Sequence, residues 1–352
     1  MVSANKLAKR KVRLRLLVIS TYFYIIRKGR EGLKPSGIGG QAVLEGIMMK
    51  NKDQYSVAVR KPDGKIEVHT SVHESIAGHR VWAKLPLIRG VVNFIDSLIL
   101  GMETLTFSAS FYEEEEQEPG GFEKFLLKIF GEKAEKVVMG CTVAFSIAMA
   151  VGIFMVLPYF ISGFFRDYIV SNTLLAVVEG AVRLGLFVLY VVLISSMKDI
   201  RRVYMYHGAE HKCINCVERG RELNIKNVQS SSRYHARCGT SFLFIVMVIS
   251  IVFFMFIRAE SPMIRVLSRI LLVPVIAGVS YEFIRLAGRN ENLLVRILSL
   301  PGKGMQRLTT KEPDDDMVEV AIAAVEAVFD WRAFQGHRPY SDDGNEGGEE
   351  ES

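Results

Sequence analysis

Residues 137 to 165 read VVMGCTVAFSIAMAVGIFMVLPYFISGFF, 29 positions without a single charge. An α-helix rises about 1.5 Å per residue, so roughly 20 apolar residues cross a hydrocarbon core of about 30 Å. This stretch is long enough with residues to spare, and it sets the class of the chain. Pro158 lies near its far end.

Working outward, residues 238 to 257, CGTSFLFIVMVISIVFFMFI, form a second uncharged run of 20 residues. Two less pure stretches complete the set. Residues 172 to 197 carry Glu179 and Arg183, four apart, so the two charges share one helical face and can be hidden against neighbouring helices. Residues 266 to 287 are interrupted by Pro274 and carry Glu282 and Arg285 towards one end, where a long arginine reaches the interface. The chain is therefore expected to be mainly α: a polytopic membrane protein with about four transmembrane helices, plus a small N-terminal cytoplasmic α+β segment.

Lysine and arginine placement orients the spans. Residues 198 to 237 hold nine of them, against Arg166 alone in the connection 166 to 171 and two in the turn 258 to 265. That loop is expected on the cytoplasmic side, and an even number of spans puts both termini there too. The basic start NKLAKRKVRLR agrees, because such clusters favour an anionic leaflet. The net charge of +6 thus reads as membrane topology, with the lipid bilayer as partner and no nucleic-acid motif. Residues 1 to 35 lack a small-residue cleavage site and read as a basic arm, not a signal peptide.

The segment 36 to 112 is the α+β part. YSVAVRKPDGKIEVHTSV, 55 to 72, is two alternating runs around Pro-Asp-Gly, the pattern of a β-hairpin. Apolar residues at 88, 91, 92, 95, 98, 99 and 102 follow with helical period, predicting a helix with one buried face that lies on the membrane or against the spans. Residues 113 to 121 form an acidic linker, 122 to 136 a short amphipathic helix, and 341 to 352 an acidic tail with disordered composition. In TTKEPDDDMVEV the aspartates suit a helix N-terminus, and the spacing of a calcium-binding loop is absent. Glu45, within an apolar run after paired glycines, calls for a partner, either a metal or Arg89.

The chemistry concentrates in MYHGAEHKCINC, 205 to 216, and in HARC, 235 to 238. If the second span continues as a helix into the cytoplasm, His207 and His211 stand one turn apart and can reach one metal. Glu210 then lies about 60° round the helix from His207 and about 100° from His211, the mirror image of the glutamate in H-E-x-x-H. The order H-x-x-E-H is used by metalloproteases whose two histidines bind zinc while the glutamate activates water. His207, His211, Cys216, His235 and Cys238 are the candidate ligands, with Glu210 as the candidate general base. A reducing cytoplasm disfavours a structural disulfide, and no βαβ pattern supports a redox reading of Cys213 and Cys216. The plainer alternative is that the histidines are interfacial side chains and the cysteines pack. His69, His73 and His79 form a second, weaker group; Arg233 and Arg237 could hold an anion or merely anchor the loop.

The blocks GGQAVLEGIMM, YHGAEHKCINC, HARCGTSF and TTKEPDDDMVEVAIAA together resemble the YqhQ-like bacterial membrane proteins, a family defined by a domain of unknown function, DUF1385. The resemblance runs from about Gly39 to Ala324. It implies a bacterial inner-membrane location and a metal-dependent enzyme, with no reaction assigned. Its blocks fall on Gly39, Gly40, Gln41, Glu45, Gly46, His207, Glu210, His211, Asn215, Cys216, His235, Arg237, Cys238 and Gly239. Position 213 resembles a threonine position in the family, which leaves Cys213 out of the ligand set.

The expectation is a membrane protein with a cytoplasmic divalent-metal site, zinc by its donor types, and hydrolysis at the membrane surface as its chemistry. The alternative is a non-enzymatic assembly or regulatory factor with a structural metal, docking a protein partner through its cytoplasmic segments. A third reading, transport, rests on Glu179, Arg183 and Glu282.

Overall fold

The computed structural model describes residues 35–78, 80–112, 134–235, 238–256, 261–289 and 302–336. The basic arm, the acidic linker, most of the amphipathic stretch before residue 136, the acidic tail, His79 and Arg237 lie outside the described residues.

The hairpin expected around Pro-Asp-Gly is half of a larger sheet. Strands β1 (Gly39–Val43), β2 (Gly46–Asn51), β3 (Gln54–Arg60) and β4 (Ile66–Val72) form an antiparallel meander in sequence order. Gly64 supplies the positive φ of the β3–β4 turn, and the Asp63 carboxylate accepts from the Lys65 amide at 3.0 Å. The β1–β2 turn has only Leu44 and Glu45 to reverse the chain, and Glu45 takes a positive φ of 49° to do it.

Both faces of the sheet are covered, as the alternation of its side chains dictates. Ile47, Met49 and Ala58 face α4 (Lys198–Glu218) and α9 (Asp315–Val328). Val43, Met48, Tyr55, Val57 and Val59 pack on Leu100, Phe107, Phe111 and Tyr112 at the end of α1 (Ile88–Ala109). Helix α9 is built of alanine and valine on its inward face, which allows the close approach by which Ser56 donates to the Ala324 carbonyl at 2.6 Å. Asp314 is its N-cap residue and Asp315 and Asp316 occupy its first turn.

Helix α1 turns its apolar stripe away from the sheet and the other helices. Its buried residues are Gly90, Val92, Asp96, Leu100, Gly101, Thr104 and Ser108, while Ile88, Ile95, Leu98, Ile99 and Met102 of the apolar stripe are exposed. The stripe points outward, as suits a face expected to lie on the membrane or against the spans, because the inner face is tied by close packing and polar contacts. Gly90 lies against Gly278 and Tyr281, Arg89 pairs with Glu282, and Asn93 donates to the Tyr281 hydroxyl at 2.7 Å.

Among the described residues four helices are long and apolar enough to cross a membrane: Ile88–Ala109, Val137–Gly163, Thr173–Ser195 and Leu267–Leu286. The fold is mainly helical, with the small N-terminal sheet. Helix α2 runs from Ala134 to Gly163, with a π turn at Gly152–Val156 inside it. Helix α3 (Asn172–Ser195) is capped by the Ser171 hydroxyl, which accepts from the Leu174 amide at 3.3 Å. Helix α6 (Gly239–Met255) is apolar throughout but shorter, at 17 residues, than the span expected over 238 to 257. Helix α7 (Pro262–Arg289) continues through Pro274.

The chain does not run straight from α3 into α4. Met197 is extended, with ψ 136°, and breaks the helix before α4 begins at Lys198. That break lets α4 lie against the sheet. The short helix α5 (Ile225–Gln229) and the stretch up to His235 then lie along it, as does the segment that follows α8 (302–309).

Candidate metal centre

From Tyr206 to Glu218, α4 is buried except at His207, which is half-buried. Its polar residues are inside because other segments supply partners. Lys212 donates to the Gln229 carbonyl at 2.7 Å and pairs with Glu312 at 2.7 Å. Asn215 donates to the Ser232 and Tyr234 carbonyls at 2.6 and 3.1 Å. The strap after α8 crosses the helix at Gly208, where a Cβ would sit 1.9 Å from the Lys311 carbonyl oxygen. The Lys311 amide donates to the Tyr204 carbonyl at 2.8 Å in the same crossing.

This strap orients the first histidine. His207 Nδ1 lies 2.8 Å from the Thr309 carbonyl oxygen, and His211 Nδ1 lies 2.7 Å from that of Arg233. A carbonyl only accepts, so each Nδ1 carries a proton, and in the neutral form of each ring it is Nε2 that offers the lone pair. His207 Nε2 is 3.3 Å from Cys238 Sγ, and the two imidazole rings are 4.4 Å apart between centroids. One donor atom from each of His207, His211 and Cys238 falls within a sphere of contacts no longer than 4.8 Å. Cys238 reaches the cluster as the residue that starts α6, and Thr240 Oγ1 stands 3.1 Å from its sulfur. Gln306 on α8 holds that corner, accepting from the His235 amide at 3.0 Å and donating to the His235 carbonyl at 2.8 Å.

The electrostatics follow from burial. Desolvation lowers the His211 imidazole below its ordinary value, keeping the ring neutral. Desolvation raises the Glu210 carboxyl above the usual carboxylate range; nearby His207 and the Gly40 amide, which donates to it, pull the other way. Gly40 is needed for that approach, because a Cβ there would come within 3.0 Å of Glu210 Cγ and closer still to β2.

The structure thus brings together His207, His211 and Cys238, places the Glu210 carboxylate outside that group, where it accepts from the Gly40 amide of β1, and leaves two predicted ligands apart. Cys216 points into the core shared with α9, its thiol donating to the Glu222 carbonyl at 3.4 Å. Helical geometry explains this: position 216 is about 180° round the helix from His207 and about 140° from His211. His235 lies nearby, its ring 5.7 Å from that of His211, but its Nε2 faces Glu218 at 3.5 Å. Cys213 is fully buried in the core, and burial pushes its thiol far above the ordinary value.

Other candidates disperse. Glu45 finds Arg202 and the Tyr206 hydroxyl as partners, where Arg89 or a metal was expected; Arg89 is taken by Glu282. His69 packs on Phe107, and His73 lies 3.9 Å from Asp96. Arg233 stands 3.6 Å from Glu312. Thr309, Gln306 and Gly208 went unremarked in the sequence; the glycine adjoining His207 in a helix was the one available sign of a crossing chain.

Residues 85–331 match the family described as Protein of unknown function (DUF1385). The chain belongs to the DUF1385 family. It is 32% identical over 300 residues to "Uncharacterized protein YqhQ" of Bacillus subtilis (strain 168), covering 82% of this chain and 91% of that protein. No solved structure matches the chain. The match begins near the start of α1 and ends in α10 (Trp331–Gln335), so this DUF1385 protein carries the whole His207, His211 and Cys238 cluster inside the family region.

Proposed function

We propose that this protein spans the membrane, binds a divalent metal, zinc by donor type, through His207, His211 and Cys238, and hydrolyses a bond in a substrate at the membrane surface with Glu210 moving the proton. The observation that carries the reading is the pair of Nδ1 contacts to main-chain carbonyls. A ligating histidine is ordinarily held this way, and here His207 Nε2 lies 3.3 Å from Cys238 Sγ with a donor atom of His211 within 4.8 Å of both. Two imidazoles and one thiolate make three ligands, the number at which a catalytic zinc site keeps a place for substrate. A bound metal would supply Lewis acidity. Glu210, whose carboxyl burial raises above its ordinary value, would take and return the proton, and the Gly40 amide, which donates to it, fixes its orientation.

The membrane reading rests on the long apolar helices and on nine cationic residues in 198 to 237, which favour the inner face of the bacterial cytoplasmic membrane for the site and for both termini. Four crossings, by α2, α3, α6 and α7, suit the contacts of α1. It meets α7 at Gly278 to Glu282 and α6 at Phe242, the ends nearest the metal centre, and its other end lies on the sheet.

Metal analysis of the purified protein tests the reading. About one zinc per chain is expected in the wild type and in Glu210→Ala, and almost none in His211→Ala, with cellular complementation lost in both variants. A wild type without metal overturns it. Burial favours a second reading, a structural metal in an assembly or regulatory factor, since His211 is 1% and Cys238 6% exposed. Full complementation by Glu210→Ala would select that reading.

A further inference from the structure

Far from the metal centre, Glu179 and Arg183 do hide against their neighbours, but a third charge joins them. Arg269 of α7 grips the Glu179 carboxylate with both terminal nitrogens, while Arg183 holds the same carboxylate at 3.1 Å. Among the described residues Glu179 is the carboxylate paired with either arginine, so the cluster carries a net charge of +1. All three side chains are buried, Arg269 to 3% exposure.

The site is built into the bundle. Pro158 has no amide proton to offer the Phe154 carbonyl one turn earlier, and the helix opens into the π turn at Gly152–Val156. The freed Phe154 carbonyl accepts from Arg183 Nε at 2.8 Å, and Ser250 accepts from the same guanidinium at 3.3 Å. Both guanidinium groups lie over the Phe254 ring, 4.7 and 5.1 Å from its centroid. Yet Arg269 Nε is buried without a hydrogen-bond partner. An uncompensated cation and an unsatisfied donor are both costly in a low-dielectric interior, and one small anion would answer both.

We infer that the Glu179, Arg183 and Arg269 cluster is an intramembrane binding site for a small monovalent anion. The inference rests on the membrane-spanning reading and not on the metal. Arg183 stands eleven residues into the 24-residue α3 and Arg269 seven residues into α7, about 16 and about 10 Å from the starts of those helices, and added phosphatidylglycerol tests whether a lipid phosphate reaches them.

Chloride is the probe. In phospholipid-free detergent at constant ionic strength, replacing gluconate by chloride should raise the thermal midpoint of the wild type by about 3–8 °C, saturably, as ligand linkage requires. Arg269→Gln leaves a neutral Glu179–Arg183 pair and should show a flat response. His211→Ala should keep the wild-type response, which separates this site from the metal centre. The proposal is overturned by no saturable rise in the wild type, by an equal rise in Arg269→Gln, by loss of the response in His211→Ala, or by stabilisation with added phosphatidylglycerol and none with chloride. The wild-type titration decides even if Arg269→Gln fails to fold.

Discussion

Helices α1 and α4 pack against the same small sheet and are nearly inside out with respect to each other. Helix α4 buries Glu210, His211, Lys212, Asn215 and Glu218, whereas α1 exposes Ile95, Leu98, Ile99 and Met102. The difference shows that partners, not polarity, decide burial at a membrane surface. Around α4 the chain returns three times, at β1, at residues 228 to 235 and at the strap 309 to 313: β1 brings the Gly40 amide to Glu210, and the other two bring carbonyls or charges to the polar side chains. The outer face of α1 has no such returning chain among the described residues, and lipid is the solvent that its apolar stripe suits.

The largest effect expected from breaking this contrast is at Gly208. A Cβ there meets a backbone oxygen, so Gly208→Ala should cost about 3 kcal/mol or more, detach the strap from His207 and lower metal content. Thermal unfolding with parallel metal analysis measures both; a variant as stable as the wild type would mean that the strap does not cross there.

Next comes the outward face of α1. Leu98 and Met102 are each 51% exposed, and a lysine at either position should cost roughly 2–3 kcal/mol where hydrocarbon is the surroundings. Stability in nanodiscs reads this, and a neutral or stabilising Leu98→Lys would show that the face meets water. Smaller still is Lys212→Met, which keeps the packing but leaves the Gln229 carbonyl without its charged donor, at about 1–2 kcal/mol. The last contrast is within the cysteines. Burial raises the thiols of Cys213 and Cys216, so both should resist maleimide at pH 8 in the folded protein, while chelation of the metal should expose Cys238 to labelling. Rapid labelling of Cys213 before unfolding would contradict its place in the core.

Much of this was legible in the sequence because it is local. Pro-Asp-Gly set the β3–β4 turn, the aspartates set the start of α9, and the spacing of His207 and His211 put both on one face. What escaped depends on distant chain. β1 and β2 read as one apolar run because both faces of each strand are covered, which removes the alternation. The period of α1 gave the helix and its membrane-suited stripe, but not the inner face, where glycine, threonine and serine pack. Cys216 is close to His211 in sequence, but its angle on the helix turns it away. Thr309 and Arg233 act through main-chain carbonyls, for which no residue type is a signal.

The account turns on whether His207, His211 and Cys238 hold one metal. X-ray absorption at the zinc edge of the purified protein tests this most directly. The expected spectrum has one sulfur at about 2.3 Å and two imidazole nitrogens at about 2.0–2.1 Å. Absence of zinc, or a shell with two sulfurs that brings Cys216 into the first coordination sphere, would contradict it.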